Sequence, residues 1–571
     1  MQHRRKATFA AASLALYGLP SFAQSNASLM NVLPGNDTQR AQQQRLEANA
    51  TNGSLGNALN EDAPRATSVD LAHLPVQSPC FEIEKIRITN NPLDSLDRLV
   101  EPVKGQCVGA DGLKIVQDSA ANKLIGYGYV TTRVAVPEQS LASGTLQLDV
   151  VPGRVGAIRS EGEAIGDIAR ALPSGEGALL NQRAIDQALE NIRRLPSQAD
   201  ARFDIAPGIG AGESDLVLHA GTGRRWRIAA GYDNAGQTAT GKNELFVALT
   251  VDSPFYQYDQ LQVSGLTNAN RGAPGKGENQ AAASYSVPFG YAMLTIDAYR
   301  ASYLQTQAFA SGAAQFTGEQ KGAGIKLSGV VQRGAKSRTE LRARFYRAFN
   351  HHYVNNTWID VQDRDVYGYE VGASHRHYIG RAQIDASVGW RDTLPGISRQ
   401  PGYVLGDSAF NGREQIVTAS LNVLAPFRVG NQPFSYQFGW TRQNARTRVT
   451  APDYFTIGTR YSVRGFDQQA TLAAENGWTV SNELDWYAPT SYGVQALYAG
   501  LDAGRVQGPT TRYLAGDTLV GMAVGARGNL APKNRLSAGV NYDVSVGWPL
   551  YKPKAFPSGS PTVLVQISAL I

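Results

Sequence analysis

The sequence predicts an α+β N-terminal region, built of two small modules, followed by a 16-stranded antiparallel transmembrane β-barrel. Three observations carry this. The chain opens like an export signal, residues 80–220 repeat one order of elements twice, and from Arg224 to Ile571 the apolar residues recur with strict period two.

Arg4, Arg5 and Lys6 precede an apolar stretch from Ala7 to Leu19, and Pro20-Ser21-Phe22-Ala23 sets small residues at the −3 and −1 positions of a cleavage site. Residues 1–23 therefore read as a secretory signal peptide. A membrane anchor would need roughly 20 apolar residues, more than this stretch holds. Residues 24–79 are rich in Ala, Gln, Asn and Ser. Asn36-Asp37 can cap a helix over Thr38–Ala50, which lacks Gly and Pro, so 24–50 is expected to form a polar helix. Gly53, Gly56, Pro64 and Pro75 mark 51–79 as a linker. A polar helix on a tether suits a movable plug; a disordered tail is the competing reading.

The bulk numbers fit this plan. The 571 residues include 59 Gly and 25 Tyr, and the mean hydropathy is −0.27, as expected where polar lumen positions dilute lipid-facing apolar ones. The 54 basic and 48 acidic residues give a net charge of +6 without a basic block, which argues against nucleic acid as a partner. Cys80 and Cys107 are the only cysteines, and in an exported protein such a pair reads as a disulfide. No neighbouring His supports zinc.

The first module, 80–153, starts with the alternating strand Phe81–Ile88. Helices near Leu93–Val103 and Leu113–Gly126 follow, then strands Tyr129–Val136 and Thr145–Val151. The second, 154–222, repeats the order with strand Val155–Ser160, helices near Ile165–Leu172 and Gln182–Leu195, and strands Ala201–Ile205 and Asp215–Ala220.

Beyond it, in 223–571, the faces differ in kind. Ala382, Ile384, Ala386, Val388 and Trp390 alternate with Gln383, Asp385, Ser387 and Gly389; Phe434, Tyr436, Phe438 and Trp440 alternate with Ser435, Gln437, Gly439 and Thr441. Near the end, Val540, Tyr542, Val544, Val546 and Trp548 alternate with Asn541, Asp543, Ser545 and Gly547. Sixteen strands across 348 residues leave about 22 for each strand and its connection, as spans of roughly ten residues with alternating short turns and long loops require. Trp390, Trp440 and Trp548 suit an interfacial girdle. A soluble β-sandwich also alternates, but its inner face would be bulky rather than Gly, Ser and Thr.

No catalytic constellation is present: there is no His-Glu-x-x-His, Walker loop or nucleophile elbow. Gly208, Gly210 and Gly212 read as a turn. His351-His352 and His375-Arg376-His377 read as solvated surface at strand ends rather than a metal site. No enzyme activity, metal or cofactor is expected.

The most informative segment is the long connection at 443–477, which contains Val463-Arg464-Gly465-Phe466. An arginine beside glycine in a loop is usually surface. Here, however, the alternation Leu497, Ala499, Leu501, Ala503 turns Asp502 into the lumen between Gly500 and Gly504, leaving room for an incoming group. A loop folded back into the barrel would bring Arg464 to Asp502, and an ion pair shielded from water is worth far more than an exposed one.

At this point the chain resembles the TpsB outer-membrane transporters of two-partner secretion (FhaC/ShlB/CdiB-like, haemolysin secretion/activation type), over essentially the whole mature length. The two α/β modules resemble POTRA domains. The family's cysteine pair is matched by Cys80 and Cys107, its Gly-Tyr-Val-Thr-Thr-Arg stretch by Gly128–Arg133, and its second-module pattern by Asn191–Ser197 with Pro207-Gly208. Asp233-Asn234-x-Gly236 and Ser284–Gly290 (SYSVPFG) are similar to its barrel motifs. Val463–Phe466 corresponds to the sixth-loop motif, and Asp502-Ala503-Gly504 to the barrel-wall aspartate motif. One departure is the end Ala569-Leu570-Ile571, where such barrels usually finish on an aromatic residue.

The resemblance implies an outer-membrane protein with periplasmic POTRA domains that bind a secreted TpsA-type exoprotein and pass it, unfolded, through the lumen. The helix in 24–50 would be its plug. Outer-membrane lipids, periplasmic chaperones and the barrel assembly machinery are the other implied partners. A BamA/TamA-like assembly factor is the alternative, and a passive porin a more distant one.

Overall fold

A computed structural model describes residues 71–270, 274–309, 312–360, 363–399, 412–490, 493–530 and 539–570. The signal peptide, the 24–50 plug helix and residues 51–70 of the linker lie outside the described residues.

The remainder of the linker packs on the first module. Leu71 and Leu74 are apolar and join its core, while Gln106 donates to the Leu71 carbonyl at 2.8 Å and accepts from the Leu74 N–H at 3.0 Å. Helices Asp94–Val100 and Ala110–Gly126 cover a three-stranded sheet in which Lys85–Thr89 runs parallel to Thr145–Val151, itself antiparallel to Arg133–Ala135. Val116, Ala120 and Leu124, four residues apart on one helix face, bury against Leu146, Leu148 and Val150. The single predicted strand 81–88 is divided. Phe81–Glu82 pairs with Cys107–Val108, where Cys80 and Cys107 are joined as a disulfide, and the chain then crosses to the larger sheet. The turn at Gly144 forces the crossing, because its carbonyl accepts from both Glu84 and Lys85 N–H groups. The strand predicted over 129–136 is reduced to Arg133–Ala135.

The second module repeats the plan. Arg154–Glu161 lies parallel to Glu213–His219, with Arg202–Pro207 on the other edge, under helices Ile168–Ala171 and Gln182–Arg193.

The barrel comprises sixteen spanning strands among the described residues. Strands 1–4 are Trp226–Asp233, Glu244–Asp252, Gln260–Asn268 and Lys276–Phe289; strands 5–8 are Ala292–Phe309, Gly312–Arg333, Ser337–Val354 and Arg364–Ile379. Strands 9–12 are Ala382–Thr393, Ile416–Val429, Gln432–Ala445 and Asn476–Thr490; strands 13–16 are Gly493–Gln507, Thr518–Leu530, Gly539–Tyr551 and Thr562–Leu570. Each pairs antiparallel with its neighbour, and strand 16 closes on strand 1 from Gln566↔Asp233 to Leu570↔Ala229. A two-residue strand, Thr357–Trp358, extends the hairpin after strand 7. Closure pairs the backbone groups with one another, which a bilayer interior demands because it supplies no water to satisfy them.

Period two holds around the ring. Ile325, Leu327, Phe345, Leu497 and Leu501 are exposed on the outside, while Glu278, Asp297, Gln320, Asp485 and Asp543 are buried on the inside. Strand 1 enters from the second module, so the turns after strands 2, 4 and 6 face that module and the odd-numbered strands lead to the opposite rim.

Candidate functional site

The connection between strands 11 and 12 spans 446–475, shorter at both ends than expected, because the strand 11–12 ladder extends to Gln443↔Gly477 and both strands run on past it. It folds inward. A small hairpin, Phe455–Ile457 against Leu472–Ala474, joins Val463 and Phe466 in an apolar cluster with Val506 of strand 13, Leu519 of strand 14 and Phe556. Phe466 meets Phe556 edge-on at 5.8 Å between ring centroids.

That cluster presents Arg464 to the wall. Its Nε and Nη2 donate to the two Asp502 oxygens at 2.6 and 2.7 Å, and its backbone N–H donates to Asp502 at 2.9 Å. Such a two-pronged, charge-assisted fit is the geometry that guanidinium and carboxylate share. Nη1 donates to Glu483 of strand 12. The glycines have steric reasons. A Cβ at Gly500 would run into the Arg464 guanidinium, and one at Gly504 would sit 2.9 Å from the Val463 side chain. Gly465 has φ +98°, and a Cβ there would approach the Trp548 carbonyl oxygen to 2.5 Å, so the loop backbone lies directly on strand 15.

Several members of this network were not singled out from the sequence. Arg527 of strand 14 donates to Glu483 at 2.5 Å, lies 3.0 Å from Asp485, and stacks 3.8 Å over the Tyr498 ring; Tyr498 in turn donates to Asp543 at 2.7 Å. The signal existed. Leu484 is outward, so the same parity that picked Asp502 turns Glu483 and Asp485 inward.

The other motifs meet below the barrel. In the second module's helix and the turn after it, Asn191 Nδ2 donates to the Gly290 carbonyl at 2.7 Å and to that of Ala171 at 2.8 Å. Arg194 donates to Ser286 Oγ at 2.9 Å and to the Tyr258 carbonyl at 2.6 Å, and the Ser197 N–H donates to Asp252 at 2.9 Å. The segments Asn191–Ser197 and Ser284–Gly290 are therefore two halves of one junction. Burial pushes the Arg194 guanidinium down to about 10, with Asp252 and Asp259 pulling the other way. Glu190 adds ion pairs to Arg333, at 2.6 Å, and Arg338 beside the turn after strand 6. Asp233-Asn234 serves the seam: Asn234 donates to the Val563 carbonyl at 2.9 Å and accepts from the Val565 N–H at 2.8 Å.

The histidine reading needs correction at His352, whereas His375 and His377 are exposed as expected. All four lie within strands, and strand alternation separates His351 from His352. His352 is buried in the lumen, 3.1 Å from the Tyr303 hydroxyl, whereas His351 contacts Asp363. His375 and His377 stack on one face at 6.0 Å. Among the described residues, no group of three or more His, Cys, Asp or Glu could hold a metal ion.

Comparison with known proteins gives a consistent result. The family described as haemolysin secretion/activation protein ShlB/FhaC/HecB matches residues 212–528, a ShlB-type POTRA domain matches 80–153, and a further POTRA domain matches 154–207. The outer membrane transporter CdiB-2 of Burkholderia pseudomallei (strain 1026b) is 33% identical over 552 residues, covering 93% of each chain. The hemolysin transporter protein ShlB of Serratia marcescens is 25% identical over 500 residues, covering 87% of each. The solved structure of CdiB from Escherichia coli superposes with a TM-score of 0.79 at 26% identity, covering 96% of this chain and all of that one.

Proposed function

The chain belongs to the haemolysin secretion/activation protein family ShlB/FhaC/HecB, outer-membrane transporters with periplasmic POTRA domains, and on that premise we propose that it exports one large TpsA-type exoprotein to the cell surface. The observation that carries this reading is the whole-length likeness to such transporters, two POTRA domains and barrel together.

Each part has a role that its chemistry supports. The sheets of both POTRA domains end in edge strands, Arg133–Ala135 in the first and Arg202–Pro207 in the second, and an extended segment of the exoprotein would pair there through main-chain hydrogen bonds. The junction of Asn191, Arg194 and Ser197 with the periplasmic turns would hold that segment under the lumen entrance. The lumen is polar, lined by groups such as Gln320, Asp485 and Asp543, and offers an unfolded chain no apolar surface to stick to. The Arg464 loop would hold the inside of the barrel in a defined state until cargo displaces it, and residues 24–50 would close the channel at rest. The drive would come from folding of the exoprotein outside, without ATP, and the chain would act by transport rather than catalysis. Periplasmic chaperones would keep the exoprotein unfolded, and the barrel assembly machinery would insert the transporter.

Co-expression with a cognate exoprotein tests the reading. The exoprotein should reach the medium with the full chain and stay in the periplasm when residues 80–222 are deleted, with both transporters present in the outer membrane. Equal export by the deleted form would remove the POTRA domains from the mechanism.

A further inference from the structure

Arg464 is not the loop's only buried charge contact. The loop's first turn, Ala451–Asp453, places Asp453 against a different sector of the wall: Arg364 of strand 8 donates to its Oδ2 at 2.9 Å, and Arg391 of strand 9 donates to its Oδ1. Arg364 also donates to Glu414, which precedes strand 10, and Glu414 accepts from the Thr450 N–H at 2.9 Å and the Thr450 hydroxyl at 2.7 Å. Gln443 of strand 11 donates to the Asp453 carbonyl at 2.7 Å. Two residues of the loop, Thr450 and Asp453, are thus bound into a buried cluster of two arginines and two carboxylates.

The cluster would suffer if the loop withdrew. Without Asp453, Arg364 and Arg391 would share Glu414 and Glu370, and Glu370, across the ladder from Arg391, already lies 3.9 Å from Arg344. Desolvated arginines short of carboxylate partners are costly, so the wall itself favours the loop's staying in place. Strands 8 and 9 are five and four strands from strand 13, which carries Asp502, so the two contacts grip separate parts of the ring. The Phe455–Ile457/Leu472–Ala474 hairpin follows Asp453 directly and carries Arg464 in its connection, so it joins the two grips into one folded unit.

We propose that Asp453 is a second latch, a positioning residue that holds the sixth loop inside the barrel independently of Arg464, so that the loop leaves the lumen only when both contacts are broken. This rests on the reading of the loop as the element that cargo displaces. It adds that displacing the loop is a two-step event, with release of the Arg464 contact alone leaving it in place.

The test is thiol accessibility on whole cells carrying the full chain with Ser462→Cys, a buried loop position; Cys80 and Cys107 are joined and do not compete. A membrane-impermeant maleimide reports departure of the loop from the lumen. Arg464→Ala and Asp453→Asn should each label within about three-fold of the parent, and the double variant at least about ten-fold faster than either. Asp453→Glu in the Arg464→Ala background should restore the slow rate. Either single variant labelling as fast as the double, or a double no faster than the singles, overturns the proposal. Heat-modifiable migration verifies a closed barrel in each variant. If the double does not insert, Arg364→Gln and Arg391→Gln together with Arg464→Ala remove both wall donors to Asp453 and are read identically. Labelling needs no cargo, so its failure leaves the export reading standing, and a failure of export leaves the labelling result standing.

Discussion

Replacing Arg464 by alanine removes the guanidinium that holds both Asp502 oxygens, and Asp502 is 2% exposed. Glu483, 4% exposed, keeps Arg527 at 2.5 Å and loses less. Breaking a buried pair by removing one partner costs roughly 3–5 kcal/mol, most of it the desolvation of the charge left behind. At about 1.4 kcal/mol per factor of ten, the Arg464 contact by itself would lose roughly two to four orders of magnitude in strength, while the Asp453 contacts keep the loop in the lumen. The barrel hydrogen-bond ladders are untouched, so insertion should proceed. We therefore predict that Arg464→Ala abolishes export of the cognate exoprotein at a normal level of transporter in the outer membrane. Asp502→Ala should do so more mildly, because Glu483 remains to hold the guanidinium. Lysine at 464 should rescue poorly, since one ammonium cannot reproduce two parallel donors and the link to Glu483. The assay is the exoprotein in the medium, normalised to folded transporter in the membrane fraction. Normal export by Arg464→Ala would make the loop contact a bystander and refute this reasoning.

Other consequences can be measured separately. Asn191→Leu leaves the Gly290 and Ala171 carbonyls without their donor in a buried junction, costing roughly 1–3 kcal/mol, and should expose the POTRA–barrel hinge to limited proteolysis without altering barrel migration. Unreduced peptide mapping should find Cys80 joined to Cys107, and replacing both with serine should cost the first module roughly 3–4 kcal/mol, read as faster proteolysis of residues 80–153. Deleting residues 24–50 should raise single-channel conductance while export persists; unchanged conductance would remove the plug from the account. Asn234→Ala loses both hydrogen bonds across the closing seam and should lower the temperature at which the folded band converts to the unfolded one.

What could be read in advance follows from which signals are local. Strand alternation depends on a residue and its neighbours, so Leu497, Ala499, Leu501 and Ala503 place Asp502 in the lumen without any distant information. The partners Glu483 and Arg527 lay within reach of the same rule, but nothing in their own surroundings marked them out. Asp453 and its arginines were beyond it, because their meeting depends on how a long connection folds across the ring. The split after Ile83 has a local trace, because the alternation changes phase at Glu84-Lys85, between Phe81 and Ile83 on one side and Ile86 and Ile88 on the other, but the Gly144 turn that redirects the chain there is distant in sequence. His352 alone departs from the surface reading, because adjacent strand residues face opposite sides and His351 and His352 cannot share one surface. Motif resemblance picked out Asn191–Ser197 and Ser284–Gly290 separately; that they touch required three dimensions.

On the proposed mechanism this chain alone moves an unfolded exoprotein through its lumen. Proteoliposomes containing only the purified protein, POTRA domains outward, should be given denatured cognate exoprotein in the absence of ATP and of any ion gradient. The exoprotein should become protected from added protease inside the vesicles, and Arg464→Ala vesicles should leave it digestible. If instead the exoprotein stays fully digestible while an unrelated outer-membrane barrel folds into the same bilayers, the protein is an assembly factor and the account is contradicted.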